Sequence, residues 1–255
     1  MLIKLLKKIT FIDNILSSFV NSSFEGYQYH SLVRFSIILL IIFLIYIPLY
    51  SYENELYSID KTTLEKDEFG YLHLFGEIKN KSEKTLTNIT LSSNFSDLNN
   101  NVIGTYSRSP EINTLNPNQS SPFEIIYLDS NSIDKVKNYS ISVEYIVGKE
   151  KPNLLFINHV NDRLDFTGFY YINGEITNFG SATAYNITVV ATLYDVYENI
   201  IGITKAITEP FIIEPQNKGA FGLAVNAKKI SFKIKDFILQ AYSDKYLSNI
   251  FNQKK

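Results

Sequence analysis

The sequence predicts an all-β protein: two tandem antiparallel β-sandwiches preceded by an N-terminal amphipathic helix and one transmembrane helix. Three observations predict it. A stretch of about a hundred residues occurs twice. Within each copy, apolar and polar residues alternate with a period of two, broken by turn residues. One long apolar run stands ahead of both copies.

The repeat is the strongest of these signals. Gly76-Glu77-Ile78-Lys79-Asn80 recurs as Gly174-Glu175-Ile176-Thr177-Asn178, an offset of 174 − 76 = 98. At that offset Asn88-Ile89-Thr90 matches Asn186-Ile187-Thr188, Asp97 matches Asp195, Ile103-Gly104 matches Ile201-Gly202, and Phe123 matches Phe221, with no gap. Such a period is too long for a solenoid and fits a duplicated domain. The expected organisation is a cytoplasmic amphipathic segment over 1–30, a membrane span over 31–52, sandwiches over 53–150 and 151–246, and a tail over 247–255.

The apolar run is 35–52, without a charge. As a helix it spans roughly 27 Å, close to the thickness of a hydrocarbon core. Tyr46, Tyr50 and Tyr52 mark one end, where an aromatic belt sits. Residues 1–34 carry Lys4, Lys7, Lys8 and Arg34 against Asp13 and Glu25, a balance of +2. Residues 53–68 carry Glu53, Glu55, Asp60, Glu65, Asp67 and Glu68 against Lys61 and Lys66, a balance of −4. The basic side stays in the cytoplasm, so the repeats are expected outside, on an uncleaved signal-anchor. A cleaved signal peptide is disfavoured because the run starts some thirty residues in and Leu49 and Tyr50 are poor neighbours for cleavage. Upstream, Leu2, Leu5, Leu6, Ile9, Ile12, Leu16 and Phe19 share one helical face, with Lys4, Lys7 and Lys8 opposite. That pattern suits a helix lying on the membrane surface or one docking on a membrane partner.

Within the repeats, Leu72, Leu74, Gly76 and Ile78 alternate with His73, Phe75, Glu77 and Lys79, and Tyr170, Ile172, Gly174 and Ile176 do the same in the second copy. Each reads as a strand with one buried face. In the next strand Tyr185, Ile187, Val189, Ala191 and Leu193 are expected inside, with Asn186, Thr188 and Thr192 outside. Asn116-Pro117-Asn118-Gln119-Ser120 and Glu214-Pro215-Gln216-Asn217 are turns, leading to strands with Phe123, Ile125, Tyr127 and Phe221, Leu223, Val225 inward. The short linker around Pro152 predicts two sandwiches standing end to end.

These motifs resemble the FxLYD domain family: Gly-x-Ile-x-Asn, then Asn-Ile-Thr-Val, then Leu193-Tyr194-Asp195 followed by Ile200-Ile201-Gly202, then Pro215 before Phe221. The second copy matches better; Ala191 replaces the family's Phe, and the first copy keeps only Asp97 of Leu-Tyr-Asp. The resemblance implies immunoglobulin-like sandwiches on secreted or membrane-anchored bacterial and archaeal proteins, with no common catalytic activity.

The chain therefore reads as a non-enzymatic surface protein that binds protein or glycan at the envelope, or as an accessory subunit of a membrane complex such as a transporter or secretion system. The net charge of −2 gives no reason to expect nucleic acid as a partner. The absence of cysteine excludes disulfides and thiolate chemistry. No catalytic residue, metal site or cofactor is expected. Glu77 and Glu175 belong to separate copies and are expected in solvent, and His73 and His159 lack metal-ligand spacing. Asp97-Leu98-Asn99-Asn100-Asn101 can be imagined as a Ca²⁺ loop, but reads better as a turn in which Asp97, like Asp195, bonds the backbone. Tyr170, Tyr171, Tyr185, Tyr194 and Tyr197 are either a contact face or, for about half of them, core. Candidate N-glycosylation acceptors are Asn80, Asn88, Asn94, Asn118, Asn138 and Asn186. A further sequon, Asn21, lies on the expected inside.

Overall fold

The computed structural model describes residues 56–67, 69–225 and 228–253. The expected amphipathic helix over 1–30, the span over 31–52 and Asn21 lie outside them. Among the described residues no helix is long and apolar enough to cross a membrane, and helix is confined to two short pieces, Ile133–Lys135 and Lys228–Ser231. The rest of the regular structure is strand.

The first repeat supplies β1 (Tyr57–Lys66), β2 (Leu72–Asn80), β3 (Thr85–Ser96), β4 (Val102–Arg108), β5 (Thr114–Leu115), β6 (Ser120–Tyr127) and β7 (Asn138–Gly148). β1, β2 and β6 form one antiparallel sheet. β4, β3 and β7 form the other, with β5 on the end of β3. Between them lie Leu74, Ile78, Leu91, Phe95, Phe123, Ile125 and Tyr127. The second repeat supplies β8 (Asn153–Leu164), β9 (Tyr170–Asn178), β10 (Ala184–Tyr185), β11 (Thr188–Tyr194), β12 (Ile200–Ile207), β13 (Ile212–Ile213), β14 (Lys218–Val225) and β15 (Asp236–Tyr242). It encloses Ile172, Ile176, Val189, Leu193, Phe221, Leu223, Phe237 and Leu239. Each such side chain contributes about 1.5–3 kcal/mol by leaving water.

The offset of 98 holds for the backbone as well. Gly76 pairs with Phe123 as Gly174 pairs with Phe221, and Leu91 with Val143 as Val189 with Ala241. The bulge between Asp60 and Thr63 recurs between Asn158 and Asn161. Among the described residues every non-glycine with positive φ has its counterpart: Lys61 and His159, Asn88 and Asn186, Asn100 and Glu198, Asn118 and Gln216.

Three expectations are corrected. First, the repeats do not stand end to end. They belong to one compact unit, Glu55–Lys255, and the outer face of β1–β2–β6 packs on the outer face of β12–β11–β15. Val190, Ile203 and Tyr242 join the first repeat's core cluster, and Phe75 packs with Tyr194 and Ile200. Second, that packing buries β11 on both faces. Thr192, expected in solvent, is buried, and Tyr185, expected inside on the same strand, lies on the separate strand β10, paired with β13, and is exposed. Third, the expected tail is structured. β16 (Leu247–Ser248) runs parallel to β8, and β17 (Phe251–Gln253) pairs with β15.

Candidate functional site

Between the two repeats lies a cleft of about 490 Å³, within the range of small-molecule sites. The first repeat lines it with 111–114, the linker with Lys151, and the second repeat with Tyr185, Asn186, Thr188, 242–244 and Leu247. Lys151 is fixed at three points: its N–H donates to Asn116 Oδ1 at 3.1 Å, its carbonyl accepts from Asn116 Nδ2 at 2.6 Å, and its ammonium donates to Ser243 O at 3.1 Å. Burial lowers the pKa of its amine, while the carboxylate of Asp244 pulls the other way. Glu111, at the other wall, is held by Lys205 at 2.7 Å and by Arg108 at 3.8 Å. Two of the three charged side chains lining the cleft thus have structural duties, and Asp244 accepts from Tyr185 N at 3.0 Å.

The inter-repeat contact has a polar centre next to its apolar one. Tyr194 OH donates to Glu77 Oε1 at 2.7 Å, and Lys61 Nζ stands 3.9 Å from the same carboxylate and 4.5 Å from the Tyr194 ring centre. Burial, and then the neighbouring Glu77 charge, raises the pKa of the Tyr194 phenol. Glu77 is therefore not the free solvent carboxylate that its sequence position suggests. Glu175 is half-buried and pairs with His159 at 2.9 Å and Lys218 at 3.0 Å. Neither glutamate lines the cleft.

His73 sits between two carboxylates, with Nδ1 2.6 Å from Glu124 and Nε2 3.1 Å from Asp67. Its pKa is raised, chiefly by the Glu124 hydrogen bond and then by Asp67, against the opposing effect of burial. Sequence reasoning missed this cluster because Glu124 lies on another strand, 51 residues away. Only the pairing of β2 with β6 brings it near. Among the described residues no group of three His, Cys, Asp or Glu could hold a metal ion.

The Asp97 and Asp195 loops hold themselves together. Asp97 Oδ1 accepts from the N–H groups of Asn99 and Asn101, and Asp195 Oδ1 from those of Tyr197 and Asn199. Asp67 and Asp165 do the same at the tips joining β1 to β2 and β8 to β9. The five tyrosines do not share a face: Tyr170 and Tyr194 are buried, Tyr185 and Tyr197 exposed.

Asn80 is the one sequon whose placement corrects the sequence reading. It is 0% exposed. Its Nδ2 donates to the carbonyls of Lys84 and Leu115, and its Oδ1 accepts from Ser82. Asn178 repeats this with Ala182, Ile213 and Gly180. Both protons of the Asn80 amide are engaged in a buried site, so a glycan on its Nδ2 would break the pin that holds this hairpin loop. Asn88, Asn118, Asn138 and Asn186 are exposed, and Asn94 is half-buried beside Thr105, whose hydroxyl it accepts. Asn186 stands at the lip of the cleft.

No protein-family model matches the chain, and no curated protein is similar to it in sequence. Among solved structures, similarity is found to an exo-chitosanase of Amycolatopsis orientalis (8% identity, TM-score 0.27, 76% of this chain and 26% of that one). Red sea bream transglutaminase (10% identity, TM-score 0.28, 76% and 31%) and a β-galacturonidase from Eisenbergiella tayi (13% identity, TM-score 0.26, 72% and 35%) are similar at the same level. The chain spans about a quarter to a third of these proteins.

Proposed function

We propose that this chain is a non-enzymatic, membrane-anchored surface protein that displays two immunoglobulin-like sandwiches of the FxLYD type for binding protein or glycan. The N-terminus is cytoplasmic and a single span over 31–52 leads to the displayed unit. The observation that carries the reading is the uncharged run 35–52, basic on its N-terminal side and acidic on the other, placed directly before an all-β unit. The engaged state of Glu77, Glu175 and the cleft's Glu111 supports a binding rather than a catalytic role, since each carboxylate already serves an ion pair. Envelope protein, surface-layer protein or glycan are the partners in this reading, with Asn88, Asn94, Asn118, Asn138 and Asn186 as acceptors for the chain's own glycans.

The amphipathic pattern over 1–30 favours a second reading, an accessory subunit of an envelope membrane complex. Crosslinking on intact cells, followed by mass spectrometry of what co-purifies, separates the two. Crosslinks confined to residues 56–253 support display. A stoichiometric membrane partner joined near 1–52, and lost on deletion of 1–30, supports the subunit.

A further inference from the structure

The two repeats differ at one sheet edge. In the second, β15 pairs with β11 on one side. On its other side Phe237, Ile238 and Leu239 pair with Gln253, Asn252 and Phe251 of the C-terminal segment. The counterpart of β15 at the offset of 98 is β7, and among the described residues β7 pairs with β3 alone. The chain leaving β7 runs on through the linker into β8, instead of turning back as 247–253 does. Burial records the difference. Phe237, Leu239 and Ala241 are at most 1% exposed, whereas their counterparts Tyr139, Ile141 and Val143 are only half-buried.

Open edges recruit other strands, and proteins blunt them with bulges, proline or charge. The other long edges of the first repeat carry such devices: β1 the bulge between Asp60 and Thr63, with Lys61 inside it, β4 an extra residue at Ile103, and β6 Pro122. β7 runs for 11 residues without proline, lysine or arginine, and its one charge is Glu144. The irregularity in its ladder puts the extra residue on β3, between Thr87 and Thr90.

The edge is also close to a palindrome: Tyr139-Ser140-Ile141-Ser142-Val143-Glu144-Tyr145 has the same order of polarity read from either end. We infer that β7 is a self-association surface, pairing antiparallel with β7 of a second copy about a two-fold axis at Ser142. A two-fold contact requires a self-complementary patch. This register supplies one: Tyr139 meets the partner's Tyr145, Ile141 the partner's Val143 and Ser140 the partner's Glu144, each pair occurring twice. Apolar residues meet on the inner face and polar ones on the outer, as stable antiparallel pairs do. The two Glu144 carboxylates stand about 14 Å apart along the strands, beyond the screening length of physiological salt. The β3 residues beside this row, Thr90, Ser92 and Asn94, are uncharged. Tyr139, Ile141 and Val143 gain the cover that β15 draws from the C-terminal segment. The inference needs only the sandwich and not the direction of the anchor.

The test uses the full chain in detergent, which has no cysteine to remove. Ser142→Cys lies on the axis, where opposed Cα atoms are about 4.5–5.5 Å apart, so mild oxidation should link two chains. Ser140→Cys should not link to itself, because its two copies are about 14 Å apart. Mixed with Glu144→Cys it should link. Ser142→Lys sets two ammonium groups against each other on the axis. It should weaken association, read by light scattering, by more than about tenfold, with the urea midpoint unchanged. A monomeric parent at about 100 μM, association unchanged in Ser142→Lys, no link at Ser142→Cys, or equal self-linking at Ser140→Cys would each overturn the inference. So would a link between Ser140→Cys and Asn252→Cys, which would mean that β7 takes the C-terminal strand of another copy instead.

Discussion

The ring of Phe221 lies so close to the backbone of Gly174 that a β-carbon there would stand 2.5 Å from Cζ. Phe123 covers Gly76 in the same way, at 2.4 Å. The glycine is what lets the ring lie flat on the neighbouring strand. Gly76→Ala or Gly174→Ala should therefore destabilise by about 1–3 kcal/mol through overpacking. Urea unfolding measures this, and pairing Gly174→Ala with Phe221→Leu should recover part of the loss. A Gly174→Ala protein as stable as the parent would mean that the ring moves aside at no cost.

Asn80 and Asn178 each pin a hairpin loop from a fully buried site. Asn80→Ala should cost about 2–3 kcal/mol, because the carbonyls of Lys84 and Leu115 lose a donor. Peptide mapping of glycosylated protein should find sugar on one or more of Asn88, Asn94, Asn118, Asn138 and Asn186 and none on Asn80. Glycan on Asn80 in folded protein would contradict the buried placement.

Tyr194 and Glu77 tie one repeat to the other across the sheet-on-sheet contact. Tyr194→Phe removes a hydrogen bond to a largely buried carboxylate and leaves it with Lys61 alone, a loss of about 1.5–3 kcal/mol. Because the contact joins both cores, parent protein should unfold in one transition. Two separate transitions in the parent would refute the shared unit.

His73 makes stability depend on pH. Its folded pKa is raised, so the clamp on Asp67 and Glu124 contributes fully below the unfolded value of about 6.5. The contribution fades as pH climbs through the raised folded value. Glu65, the cross-strand neighbour of His73 on β1, adds to the acidic surroundings. The difference in melting temperature between parent and His73→Gln should shrink from pH 5.5 to pH 9. A difference that stays constant would show that the imidazolium is not what stabilises.

Much of the architecture was readable in the chain because the duplication preserves spacing. Gly76, Asn80, Asp97 and Phe123 each have a partner 98 residues on, and each pair has the same structural duty. Alternation placed Phe123, Ile125 and Tyr127 on the core side of β6 without error. It failed on β11 because period two identifies one buried face and is blind to a second layer; Val190 and Tyr194 pack with residues of the other repeat, and Thr192 between them is buried. Asn80 misled because a sequon and a buried amide pin are the same letters. The His73 cluster and the inter-repeat cleft depend on residues far apart in sequence, which only the sheet registers bring together.

The most direct measurement of the display reading uses the absence of cysteine. Single cysteines are placed at Ser109, exposed in the first repeat, and at Ser18, ahead of the span, and intact cells are treated with a membrane-impermeant maleimide. The account predicts labelling of Ser109→Cys on intact cells and of Ser18→Cys only after lysis. The reverse pattern, or Ser109→Cys protected until lysis, would contradict it.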